Sequence, residues 1–330
     1  MDWILGIPLV LLAGIVPMLV YAVVLWWFDR YEKEPLGLLI AAFLWGAIPA
    51  IIFSLFVEVI LDVPISYFVD ASTASLVGAT VVAPVVEELF KGLALVLLFV
   101  FFHHEIDSPL DGIIYGGLVG FGFAAVENIF YFGSALAAGG LGSVLSLALL
   151  RAFVFGLNHA LFTSFTGLGI AIARTAHHWP LKVTAPLLGL SLGIASHAVH
   201  NGSVSLAGEV GWPCLVALLS DWGGVVMLLA VIVGATVQER RWIVTYLADE
   251  VGRGTLSQEE YEIIASYWRR IVHRLSVLFS GDLKRWWRLE RYYRLATELA
   301  FNKRRLAHFP SEQRTEVRVI LLRQQIQDGV

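Results

Sequence analysis

ASLVGATVVAPVVEELFKGLALVLLFVFF, residues 74–102, is a hydrophobic run interrupted near its middle by three charges, Glu87, Glu88 and Lys91. Its length points to the fold class, because about 20 apolar residues suffice to carry a helix across the roughly 30 Å of bilayer hydrocarbon. Its charges point to function. An ionisable group at bilayer depth costs about 3 kcal/mol, so three in one turn must be offset by pairing or retained for chemistry.

The pattern recurs along the chain. Later hydrophobic stretches carry Glu127 with Asn128, then His159, then His197 with Asn201. Stretches near residues 3–28, 36–61, 74–102, 111–132, 143–173, 182–207 and 213–236 predict an all-α, polytopic membrane bundle of about seven transmembrane helices with a C-terminal cytoplasmic helical tail. Composition excludes an ordinary soluble domain: of 330 residues, 58% are hydrophobic and only 15% charged. The first stretch has no basic leader region and ends in Trp26–Trp27–Phe28, unlike a simple signal peptide. Cys214 is the single cysteine, which leaves neither a disulfide framework nor a thiolate zinc site.

Charge divides the chain near residue 236. Residues 1–236 hold 6 Lys and Arg against 15 Asp and Glu, whereas residues 237–330 hold 17 against 12. A membrane domain over 1–236 and a basic, arginine-rich helical domain over 237–330 are expected. The connections around 62–73, 133–142 and 208–212 contain no Lys or Arg, while Arg30, Lys33, Arg174, Lys182 and the tail cations fall on the other side. The positive-inside rule then puts the amino terminus outside and the tail in the cytoplasm. In the tail, Tyr261, Ile264, Tyr267, Trp268, Ile271 and Leu275 have helical spacing and are interleaved with arginines. Such a tail suits an anionic lipid surface or a cytoplasmic protein, and no nucleic-acid partner is expected.

At 1.5 Å per residue, Glu87 and Glu88 lie about 20 Å into their span and His197 about 22 Å into its own. Glu127 and His159 fall near the same depth, so four helices are expected to meet at one polar pocket. Glu87 with Lys91, and His197 with Asn201, are spaced i, i+4 and share a face. Pro84 is expected to kink its span, Asp111 to cap the next one, and Arg151 to face Glu209 or Asp221. His200 reads as an interhelical hydrogen-bonding group.

Two versions of the chemistry stay open. A buried glutamate can act as general base on a water while imidazole and Asn side chains stabilise the oxyanion. Alternatively Glu88, His159 and His197 hold a divalent metal such as zinc, with water as fourth ligand. Both describe an intramembrane hydrolase. Competing classes are a proton- or ion-coupled transporter and a non-catalytic sensor signalling through the basic tail. No second copy of EELFK or of HxxxN occurs, which argues against the inverted repeats of many transporters.

The run Ala83–Pro84–Val85–Val86–Glu87–Glu88–Leu89–Phe90–Lys91 resembles the EExxK signature of the PrsW family of membrane proteases. Phe123–Ala124–Ala125–Val126–Glu127–Asn128 resembles its FxxxEN signature, Asn158–His159–Ala160 its third, and His197–Ala198–Val199–His200–Asn201 its HxxxN signature. Asp29–Arg30–Tyr31–Glu32–Lys33–Glu34–Pro35 looks like the family's acidic, proline-ending early loop, so the likeness covers about residues 29–205. The related CAAX prenyl protease and bacteriocin-immunity branches carry Arg at the position of Lys91 and His at that of Glu127.

The resemblance implies a multi-pass enzyme of the bacterial cell membrane that cleaves membrane-anchored regulatory proteins, with anti-sigma factors the associated substrate class. By resemblance, Glu88 with Glu87 would activate water or ligate metal, and Glu127 would assist that base. His159 and His197 would ligate or stabilise the oxyanion, and Asn201 would stabilise it too. Lys91 and Asn128 would support them, Lys91 as a charge partner.

Overall fold

The structure, a computed structural model, describes residues 2–31, 33–308 and 313–328, with backbone alone at 2, 3, 208–210, 313 and 314. The expectations resting on Glu32 and on the Glu209 side chain lie outside the described residues. All regular structure among the described residues is helical, in agreement with the all-α expectation. The chain divides into two compact units, Met1–Phe28 with Glu34–Ile232, and Asp29–Lys33 with Val233–Val330. Residues 29–33, read from sequence as part of the membrane domain, thus belong to the second unit.

In the first unit, α1 (Asp2–Phe28) is followed by α2 (Leu36–Trp45) and α3 (Ile51–Phe68), then α4 (Ala71–Val77) and α5 (Ala83–Phe101). Wide π-type turns at Gly46–Ala50 and Gly78–Val82 splice the members of each pair together. Proline explains both. Its ring removes an amide donor and collides with the carbonyl one turn back, and one extra residue in the turn relieves that collision. Pro49 sits inside the first wide turn and Pro84 just past the second. The expected distortion at Pro84 is therefore displaced one turn upstream.

Next come α6 (Pro109–Ala148), a third wide turn at Leu149–Val154, α7 (Asn158–Thr175), α8 (Trp179–Val210) and α9 (Pro213–Gly252). Ser108, rather than Asp111, caps α6: its hydroxyl accepts from the Leu110 and Asp111 amides, and Asp111 closes the box by accepting from the Ser108 amide. The expected continuous span over 143–173 is broken at Phe155–Leu157, so His159 stands in the first turn of α7 instead of in mid-helix.

Among the described residues, five segments are long and apolar enough to cross a membrane: Ile4–Phe28, Leu36–Phe68, Pro109–Thr175, Trp179–Ala207 and Pro213–Gly252. Helix α6 lies at the centre of the unit, packed against α1, α2 and α7. Close approach to α7 depends on glycine. A Cβ at Gly112 would stand 2.2 Å from the Gly167 carbonyl oxygen, and one at Gly120 would stand 2.3 Å from that of His159. Without a hydrophobic driving force inside lipid, such backbone contact supplies the packing energy, and at Gly120 it fixes where His159 enters the site.

The second unit adds α10 (Gln258–Ile264), α11 (Tyr267–Phe279), α12 (Leu283–His308) and α13 (Gln313–Gln327) to the end of α9. Ile243, Leu247, Ile264, Leu299, Ala300 and Leu322 form its dry core, joined by Tyr31 from the short early segment. Of the apolar run read from the sequence, Ile264, Tyr261 and Tyr267 pack with this core, whereas the outer part of α11 is turned away from it. Arg270 is buried, whereas Trp268 and Phe279 are 70% and 83% exposed. Burial, with the neighbouring Arg274 charge, pulls the Arg270 guanidinium down to about 10.

Candidate active site

Helix α5 delivers Glu87, Glu88 and Lys91 within one turn, all of them buried. The Lys91 ammonium has three donors and three partners: Glu87 Oε2 at 3.0 Å, Glu88 Oε1 at 2.8 Å and His159 Nδ1 at 3.0 Å. It also lies 3.8 Å from the centre of the Phe123 ring. Both glutamates pair with Lys91, Glu87 across the i, i+4 spacing read from the sequence and Glu88 at i, i+3.

These contacts settle the histidine tautomers by network logic. Lys91 can only donate, so His159 Nδ1 accepts and its Nε2–H donates to Glu127 Oε2 at 2.7 Å. The adjacent Glu88 Oε1 accepts from His197 Nδ1 at 3.1 Å, which leaves His197 Nε2 as a lone pair 3.9 Å from Glu87 Oε2. The two imidazoles meet edge-on at 5.2 Å, and His197 stacks on Phe162 at 4.9 Å. Glu88 Oε2 takes a further bond from the Thr163 hydroxyl at 3.0 Å. Glu87 Oε1 is left without a hydrogen-bond donor among the described residues.

Around this core lies a second ring of polar contacts. Arg151, in the wide turn before α7, donates to Glu127 Oε2 at 2.8 Å and to Asn128 Oδ1 at 3.0 Å, and stacks on Tyr131. The expectation that Arg151 faces Asp221 fails, because Asp221 instead pairs with His200 at 2.7 Å, and Asn158 also contacts His200. That bears out His200 as an interhelical linker. Asn201 does not join the glutamates: its amide donates to the Ala79 carbonyl, at 2.9 Å, in the wide turn preceding α5.

A cavity of about 270 Å³ abuts the cluster, lined by polar Glu127, His159, Arg151, Asn128 and Asn201 and by apolar Leu150, Phe155 and Val204. Sequence reasoning passed over Thr163 and Glu58 and gave Arg151 the wrong partner. Thr163 was signalled by its i, i+4 spacing from His159. Arg151 was visible as a cation within an apolar stretch, though its partner was not. Glu58, on α3, lines a separate cavity of about 430 Å³ with Asp62 and Ser75, and its Oε1 is buried without a hydrogen-bonding partner. A lone acid in the second hydrophobic stretch was the available signal.

The family model that matches, over residues 34–236, is described as PrsW family intramembrane metalloprotease. The chain belongs to the PrsW family. Proteins named Protease PrsW from Geobacillus kaustophilus and Oceanobacillus iheyensis are 33% and 30% identical to it, over 50% and 58% of this chain and 66% and 81% of theirs. Protease PrsW of Bacillus subtilis is 26% identical over 64% of this chain and 84% of its own length. The chain thus spans just under two thirds of one relative and about four fifths of the other two. No solved structure matches it.

The donor set of this PrsW-family chain fits the divalent metal that the family description implies. One ligand atom each from Glu87, Glu88, His159 and His197 all lie within 4.8 Å of one another. His197 Nε2 presents a lone pair toward Glu87, and that of His159 Nδ1 is held by the same Lys91 ammonium that binds both carboxylates, so two imidazole nitrogens and two carboxylates form a donor set that suits zinc and similar cations. Glu127 behind His159 repeats the carboxylate–histidine support of metal sites. Lys91 touches three of the four, so its ion pairs and a metal would compete for the same atoms.

Proposed function

We propose that this chain is an intramembrane endopeptidase that hydrolyses a peptide bond of membrane-anchored regulatory proteins of the anti-sigma-factor kind. The observation that carries the reading is the quartet Glu87, Glu88, His159 and His197, gathered from α5, α7 and α8 beside a cavity lined by both polar and apolar side chains. Family membership supports the reaction class.

Glu87 is the general base: its Oε1 faces no donor among the described residues, so it can accept a proton from water as the oxygen attacks the scissile carbonyl and then return that proton to the leaving amide nitrogen. Glu88, fixed from both sides by His197, Lys91 and Thr163, is with His159 and His197 the set that would hold metal. A bound zinc ion would supply carbonyl polarisation and a water acidic enough to be activated at neutral pH. Glu127, gripped by Arg151, orients His159, and Asn128 orients Arg151. Asn201 positions the entry to α5 through Ala79 instead of donating to the oxyanion. Burial of the cluster among packed helices keeps bulk water away, which strengthens every electrostatic contact there.

The chain crosses the membrane seven times. Pro109–Thr175 would run about 100 Å if straight, three times one crossing, and it bends at Gly140 and breaks at Phe155–Leu157, which suits two spans. The α4–α5 segment makes the seventh, its three charges paired with one another within the cluster. The loop cations place the amino terminus outside and the second unit in the cytoplasm of a bacterial cell.

A second reading, glutamate-activated water with no metal, is favoured by Lys91, whose ammonium already occupies one oxygen of each of the two carboxylates. One experiment separates them: metal content by mass spectrometry of the wild type, His159→Ala and His197→Ala proteins, with cleavage of single-span reporters before and after chelation. Stoichiometric zinc lost in both variants, with chelation abolishing cleavage, supports the metal form. Cleavage that survives complete metal removal supports the second reading, and absence of cleavage by wild type across a broad reporter panel contradicts both.

A further inference from the structure

Helix α11 has two faces, and only one of them is used by its own unit. Val277 and Arg270 point inward: Arg270 donates to the Ile264 carbonyl at 2.8 Å and to the Thr297 hydroxyl at 2.9 Å, and His273 bonds the Tyr293 hydroxyl. On the opposite side Trp268, Val272, Leu275 and Phe279, spaced 4, 3 and 4 residues apart, form one exposed apolar stripe. Leu283 and Trp287, spaced i, i+4 at the start of α12, are 59% and 67% exposed as well. A contiguous apolar patch of this kind marks an interaction surface, because isolated exposed hydrophobics do not line up on one face.

The charge around the stripe identifies what covers it. Residues 266–294 hold 8 Lys and Arg against 2 acids. Both acids are engaged within the unit, Glu290 with Arg274 at 2.7 Å and Asp282 with the Arg285 backbone amide at 2.9 Å. Lys284, Arg285, Arg288 and Arg291 are exposed. Tryptophan and phenylalanine on one side with lysine and arginine beside them is the arrangement that seats a helix at the headgroup level of an anionic bilayer. The unit is also tethered: its first helix is the continuation of α9, an apolar segment long enough to cross a membrane.

We propose that the α11–α12 hairpin is a membrane-docking element, with Trp268, Leu275, Phe279 and Trp287 inserted among lipid headgroups and Lys284, Arg285, Arg288 and Arg291 bound to anionic lipid. This places the second unit flat against the bilayer surface instead of free in solution, and it does not depend on the catalytic reading.

The test uses the full chain reconstituted in vesicles. With Cys214→Ser as background, Phe279→Cys and, as a polar control, Glu259→Cys each carry a fluorophore, and nitroxide-labelled lipid serves as quencher. In phosphatidylcholine containing about one third phosphatidylglycerol, the probe at 279 is quenched several-fold more than that at 259. Quenching falls to the control level in phosphatidylcholine alone or in about 0.5 M salt, where charges are screened within a few ångströms. Replacing Lys284, Arg285, Arg288 and Arg291 by Gln weakens docking about fivefold per cation. Quenching at 279 that never exceeds the control, or that ignores lipid charge and salt, overturns the proposal. Shielding from aqueous iodide that rises with protein density, without lipid quenching, assigns the face to a second copy and overturns it too.

Discussion

Lys91 and Arg270 are both buried cations lying over aromatic rings, one in each unit, yet their surroundings differ in kind. Lys91 is held by two carboxylates and an imidazole. Arg270 has a backbone carbonyl, a threonine hydroxyl and the faces of Tyr31 and Tyr293, with no carboxylate at ion-pair distance among the described residues. Neutral acceptors satisfy a buried charge without adding reactive groups, which is what a structural role requires. Surrounding a cation with two acids and an imidazole, with a second imidazole on one of the acids, concentrates proton acceptors and metal donors in one dry place, which is how sites for chemistry are built.

The contrast can be broken by mutation. Lys91→Met strands Glu87 and Glu88 as buried acids without a counterion, a loss expected to cost about 3–5 kcal/mol, read from unfolding in mixed micelles. Added zinc should recover more stability in that variant than in the wild type, since it replaces the missing positive charge. A variant as stable as wild type would show that the acids need no counterion. Arg270→Met should cost about 1–3 kcal/mol, seen as faster amide exchange in α11 and α12, while reporter cleavage per folded molecule stays unchanged. If cleavage collapsed instead, the structural assignment of Arg270 would fail. Thr163→Val removes one of the bonds that fix Glu88 and should cost about 1 kcal/mol, with a several-fold fall in kcat and little change in KM.

Much of the site was legible because it is written in short local spacings. Glu87, Glu88 and Lys91 share a helical turn, and depth counting brought His159 and His197 to the same level. The family resemblance rests on those same residues, and the matching model spans them. What stayed hidden was non-local or geometrical. The Arg151–Glu127 pair joins residues 24 positions apart on different elements, and spacing within one helix says nothing of it. Wide turns at Gly78–Val82 and Leu149–Val154 add one residue per turn, too little to disturb hydrophobic periodicity, yet they move His159 to a helix start and give Asn201 a carbonyl to hold. In α11 the periodicity found the helix but not its direction. Arg270 faces inward because Tyr31 and Tyr293 receive it, a contact between separate elements that spacing within one helix does not reveal.

The central claim is that the quartet is a hydrolytic centre whose base is Glu87. Its most direct test is turnover of a single-span reporter in vesicles by wild type and by Glu87→Gln, a near-isosteric change that keeps the fold. Loss of at least about a hundredfold in kcat, with an unaltered unfolding midpoint, is the predicted result. Cleavage by Glu87→Gln within a few-fold of wild type would contradict the account.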